Sequence, residues 1–113
     1  MTGRLPARLE ATALMRQVQG AGGFATVIKR GDDDRGALIL LVAERGQPKV
    51  LIERRMGHEF EYCWTIVAKA DEAAPKKFRE STDKQVRFDP DCWLIELDIP
   101  DAERFVAEMI ASP

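Results

Sequence analysis

The chain is poor in the side chains that do most chemistry. It has one histidine, His58, and two cysteines, Cys63 and Cys92. One histidine excludes a His-Glu-x-x-His zinc motif and any cage of several imidazoles. The cysteines match neither a zinc pair nor a Cys-x-x-Cys redox pair, and burial as small apolar side chains is the expected fate of both. Ser81 and Ser112 have no Gly-x-Ser-x-Gly elbow around them. Long apolar runs are absent too: the longest, Ala37–Ala43, is far short of the roughly 20 residues a membrane helix needs. Met1–Pro6 lacks the apolar core of an export signal, so the expected setting is the reducing cytoplasm. Nor is there an excess of either charge. The 17 Lys and Arg against 19 Asp and Glu give a net charge of −2, without the basic footprint of a nucleic-acid binder.

What remains is an ordinary globular composition in one domain, residues 1–113. Residues 6–20 read as a helix. Ala7, Ala11, Leu14, Met15, Val18 and Ala21 share one face, and Gly20, Gly22 and Gly23 end it. Phe24–Arg30, Ala37–Ala43 and Lys49–Arg55 read as strands joined by turn-rich segments, which predicts an antiparallel meander. Tyr62–Val67 alternates as a fourth strand. Lys69–Lys77 reads as a flexible link and residues 78–88 as a helix with Phe78, Thr82, Gln85 and Val86 on its face. In the segment 88–99, Trp93, Ile95, Leu97 and Ile99 alternate with Cys92, Leu94, Glu96 and Asp98, the pattern of a strand. Asp101 is placed to cap a last helix carrying Ala102, Phe105, Val106, Met109 and Ile110. The expected fold is α+β, with the element order αββββαβα. It predicts a mostly antiparallel sheet of about five strands with helices packed on one face.

Several clusters invite chemistry. Asp32-Asp33-Asp34 could offer hard oxygens to a divalent cation, but consecutive residues point different ways, and a solvated hairpin tip accounts for them. Gly20-Ala21-Gly22-Gly23 has the glycines of a phosphate loop in the wrong order, after a helix and before a strand. Asp89, Asp91 and Glu96, with His58, form the set from which a metal-assisted acid–base site could be built. Ordinary turn and surface roles explain the same carboxylates. Arg54, Arg55 and Trp64 could make a basic-aromatic surface for a ligand or a single strand. On a strand, though, adjacent arginines face opposite ways.

Two segments occur together in a recognisable order: Gly22-Gly23-Phe24-Ala25 leading to Lys29-Arg30-Gly31-Asp32 and Arg35-Gly36-Ala37, then Arg87-Phe88-Asp89-Pro90-Asp91-Cys92-Trp93-Leu94-Ile95-Glu96. Together they resemble a family of small alphaproteobacterial proteins described only as a domain of unknown function. The resemblance implies a stand-alone bacterial domain and brings no catalytic residue, metal or cofactor with it. The residues favour a non-catalytic module that binds a protein partner or itself as a homodimer, because a small open sheet has edges that can pair. A metal-assisted enzyme on Asp89, Asp91, Glu96 and His58 is the alternative, and a ligand- or nucleic-acid-binding module on Arg54, Arg55 and Trp64 the third.

Overall fold

Pro6 leads the chain into its first helix, accepting hydrogen bonds at its carbonyl from the N–H groups of Leu9 (2.9 Å) and Glu10 (3.1 Å). The computed structural model describes residues 5–56 and 62–111. Helix α1 (Ala7–Gly20) buries Ala7, Ala11, Leu14 and Val18, the stripe its periodicity predicts. It ends as the glycines require. Gly23 N–H donates to the Val18 carbonyl at 2.9 Å and Gly22 N–H to that of Gln19 at 3.1 Å. Gly22 has φ +90°, the left-handed position of a Schellman ending, where a Cβ would be strained.

The strands follow as β1 (Phe24–Lys29), β2 (Leu38–Glu44), β3 (Gln47–Met56), β4 (Tyr62–Lys69) and β5 (Trp93–Asp98), with α2 (Pro75–Phe88) before β5 and α3 (Ala102–Ala111) after it. They form one sheet in the order β1-β5-β2-β3-β4. The sheet is mixed, which corrects the mostly antiparallel expectation: β5 runs antiparallel to β1 but parallel to β2. The first three strands are therefore not a meander. The meander is β2-β3-β4, and β5 inserts between β1 and β2. The cause is apolar residues of both parities at the start of β5. Trp93, Ile95 and Leu97 join one buried cluster and Cys92 and Leu94 the other, which suits an interior strand.

The helices are not on one face either. Helices α1 and α3 cover the side carrying Leu38, Leu40, Ile52 and Ile95. Phe78 and Val86 of α2 cover the opposite side, with Ile39, Leu51 and Leu94. The strand directions require this link to cross the sheet. Because β4 lies parallel to β5 but at the far edge, the connection must span the intervening strands, and α2 does so. Two local expectations are also corrected. Lys69–Lys77 is not a flexible link throughout, because β4 runs to Lys69 and α2 starts at Pro75, a first-turn position where the missing N–H costs nothing. The β2–β3 hairpin turns through Arg45 (φ 52°) and Gly46 (φ 79°), a pair of positive values suited to strand twist. That turn is held by Asp98, whose carboxylate accepts from the N–H groups of Arg45 (2.9 Å) and Gly46 (2.8 Å). The α3 N-terminus is held by Glu44, which accepts from Ala102 N–H at 2.9 Å, and not by the side chain of Asp101.

Candidate functional site

Residues 29–37 and 89–93 of the recognisable segments converge on one corner, at the start of β5, while Phe24 and Ala25 pair with its far end at Asp98 and Leu97. Between β1 and β2 the chain passes over the end of β5, so Asp32-Asp33-Asp34 is not a hairpin tip. Asp32 N–H donates to the Asp91 carbonyl at 2.9 Å, and the indole N–H of the buried Trp93 donates to the Asp32 carbonyl at 2.7 Å. The next two carbonyls serve α1: Asp33 accepts from Arg8 N–H at 2.9 Å and Asp34 from Ala7 N–H at 3.1 Å. Orphan donors of the first helical turn are thereby satisfied by backbone, not by a capping side chain. The Arg30 guanidinium lies 5.3 Å from the centroid of the Trp93 ring and pairs with Asp33 at 3.0 Å. Lys29 reaches across to the carbonyls of Pro90 (2.6 Å) and Cys92 (2.9 Å), pinning the Asp89–Cys92 turn.

The carboxylates here act on backbone. Asp32 accepts from Arg35 N–H at 2.8 Å and Asp34 N–H at 3.0 Å. Those two bonds, that to Arg35 first, hold its carboxyl below the ordinary value of 3.8. A carboxyl lowered in the folded state stabilises above its unfolded pKa and loses that contribution as pH falls through its folded one. Asp32→Asn is therefore expected to flatten the acid limb of a stability–pH curve below about pH 4; denaturant melts from pH 2 to 6 check this.

Asp89 accepts from Asp91 N–H at 3.1 Å, closing its own turn. Glu96 stands further along β5, in register with Thr26 and Leu41. Five residues of nearly extended chain separate it from Asp91, roughly 16 Å at 3.3 Å per residue. His58 lies outside the described residues. Among the described residues, no group of three or more His, Cys, Asp and Glu is placed to hold a metal ion. Burial pushes the Cys92 thiol up, against the pull of nearby Lys29, which disfavours the thiolate a nucleophile needs.

The basic-aromatic set is also drawn into the fold. Arg54 pairs with Glu10 at 2.5 Å, with the two side chains only 25% and 10% exposed, so it ties β3 to α1. Trp64 packs against the α1–α3 side of the core. Arg55 is opposite Cys63 in the β3–β4 register, and its side chain lies outside the described residues. A groove of about 470 Å³ opens between α3 and strands β3 and β4, with an apolar floor including Val50, Ile66 and Val106. Lys49, Lys69 and Glu103 on its lining carry both signs of charge, which gives no preference for an anion.

The exposed apolar surface of β1 is the feature that reading for reactive groups missed. Phe24 is 74% exposed, Ile28 52% and Val27 39%, on a strand that among the described residues has a neighbour on one side only. The signal in the sequence was the lack of a polar face in Phe24-Ala25-Thr26-Val27-Ile28. The other edge strand, β4, is unlike it: Trp64 and Ile66 pack into one core cluster, and Val67 and Ala68 into the other.

Fold and corner together define a small α+β protein with a mixed five-stranded sheet, in which Lys29, Arg30, Asp32 and Trp93 of the recognisable segments bond within the chain while Phe24 and Phe88 stay exposed. The chain belongs to the DUF1491 family, described as a protein of unknown function, whose family model matches residues 5–107. A solved DUF1491 structure from Caulobacter crescentus CB15 is similar at 27% identity and a TM-score of 0.73, covering 90% of this chain and 94% of that one. A solution structure of protein Atu0922 from A. tumefaciens is similar at 26% identity and a TM-score of 0.67, covering 88% of this chain and 89% of that one. Both sources are alphaproteobacteria. No curated protein matches. Among the described residues, no helix is long and apolar enough to cross a membrane.

Proposed function

We propose that the protein is a non-catalytic interaction module that works by lending the free edge of β1 to another polypeptide strand. The observation that carries this reading is the exposure of Phe24, Val27 and Ile28 on an edge strand. Such an edge presents unpaired N–H and C=O groups in register, a template for strand addition. Natural edges are usually blunted by proline or by outward charge. Phe24–Val27 contains neither, and the bulge between Val27 and Lys29 limits the regular template to these four residues.

The test is affinity recovery from the protein's own host with wild type and with the double variant Phe24→Lys/Val27→Lys, both checked for an unchanged fold by thermal melting. A partner, whether another protein or the chain itself, is expected with wild type and lost with the variant. A partner retained equally by both would overturn the reading. So would a wild type that stays monomeric across concentrations and recovers nothing.

A further inference from the structure

We propose that the strand accepted by β1 carries a lysine or arginine at the position level with Thr26, its cationic head laid over Thr26 onto the carboxylate of Glu96. This rests on the edge reading above and names the chemistry of the partner: an extended apolar segment with a cation at one fixed place.

The two faces of β1 differ. Ala25 and Val27 are in register with Leu97 and Ile95, on the side covered by α1. Phe24 and Thr26 are in register with Asp98 and Glu96, on the side of α2. Helix α2 covers only part of that side, where Phe78 and Val86 pack with Ile39, Leu51 and Leu94. Its cover thins along the row Leu41, Glu96, Thr26, which runs across β2, β5 and β1. Leu41 and Glu96 are half-buried and Thr26 is exposed. A strand laid beside β1 therefore meets a closed face through Ala25 and Val27 and an open one through Phe24 and Thr26.

Glu96 has no counter-charge on that open face. Among the described residues its carboxylate makes no hydrogen bond and no ion pair, unlike those of Asp32, Asp89 and Asp98, which hold backbone N–H groups. Its neighbours in the row, Thr26 and Leu41, are uncharged, and Asp98, two residues along on the same face, is a second carboxylate. Lys29, the only cation of β1, is turned to the carbonyls of Pro90 and Cys92. The field along this part of the edge is negative, which favours an arriving cation and disfavours an acid.

The reach is suited to a long side chain. An added strand lies two spacings from β5, about 10 Å. Thr26 is short, so the stem of a lysine or arginine can lie along the sheet above it while the Glu96 side chain comes to meet the head. Phe24, two residues along on the same face, supplies an aromatic wall beside the cation. The residues flanking the cation fall on the other face, next to Ala25 and Val27, where β-branched side chains pair well. The motif is apolar, cation, apolar, and it fits within the four regular residues of the template.

Selection from a phage-displayed library of short random peptides tests this chemistry. The baits are wild type, Glu96→Gln, Glu96→Lys and Phe24→Lys/Val27→Lys, each checked for an unchanged fold by thermal melting. Wild type is expected to enrich peptides with apolar residues on both sides of a lysine or arginine. Against Glu96→Gln the apolar frame should persist and the cation preference vanish; against Glu96→Lys an acidic residue should take that position. A synthetic peptide of the wild-type consensus is expected to bind Glu96→Gln about fivefold more weakly than wild type by fluorescence anisotropy. A cation enriched equally by wild type and Glu96→Gln, or by neither, would overturn the role of Glu96. The edge reading would then stand, provided that enrichment is lost with Phe24→Lys/Val27→Lys. Apolar residues spaced three and four apart would mean a helix laid over the sheet and overturn the strand. Enrichment by the double variant equal to that by wild type, or by no bait at all, would overturn both readings.

Discussion

Gly31→Ala is expected to lower the melting temperature by roughly 10 °C or more, the largest effect of a methyl group added at any described glycine. A Cβ at Gly31 would sit 2.5 Å from the backbone carbon and 2.6 Å from the backbone oxygen of Cys92, with the Asp91 carbonyl also in contact. All these neighbours are backbone, so no side chain can swing aside. Overpacking of this kind costs about 2–3 kcal/mol, a large share of the 5–15 kcal/mol that holds a domain folded. Gly20→Ala is the control. Its Cβ meets nothing within 4 Å at the end of α1, and it should be neutral or slightly stabilising. Thermal melts of both variants check the pair; equal melting temperatures would mean the corner relaxes more freely than its packing implies.

Arg54→Ala is expected to destabilise by about 2–3 kcal/mol. Removing one partner of a buried pair costs about 3–5 kcal/mol because the other charge loses that counter-charge, and the quarter exposure of Arg54 reduces the figure. The double variant Glu10→Gln/Arg54→Met should recover part of the loss, because both charges of the pair are removed together. Denaturant titrations of the two single variants and the double variant measure the coupling. The outcome also separates two uses of Arg54. A residue kept for binding phosphate would leave stability intact and weaken a salt-sensitive interaction instead.

Elements with a strong internal period were legible from sequence. The stripe Ala7, Ala11, Leu14, Val18 marked α1, and the apolar run Ala37–Ala43 marked the deeply buried β2. Strand neighbours were not. Periodicity describes how a strand meets layers above and below it and carries nothing about which strand lies beside it. The segment Gly31–Gly36 has the composition of a hairpin turn, yet β5 enters between the strands it joins. Pro75 fell inside the segment read as a flexible link, and it begins a helix because the first turn needs no N–H there.

The candidate site divides the same way. Asp32 and Asp89 drew attention as carboxylates, and they, like Asp98 and Glu44, accept from the chain's own backbone N–H. Asp98 and Glu44 act across 53 and 58 residues of sequence, a separation at which no local pattern signals a partner. Phe24 and Ile28 were visible as apolar, but their exposure follows from β1 being an edge, which only the sheet order reveals.

Amide hydrogen exchange of β1, with and without the partner recovered from the host, tests strand addition at this edge most directly. Addition predicts that amides of Phe24–Val27 on the free edge gain protection in the complex, while those of β4 stay unchanged. Exchange in β1 that is the same with and without the partner would contradict it.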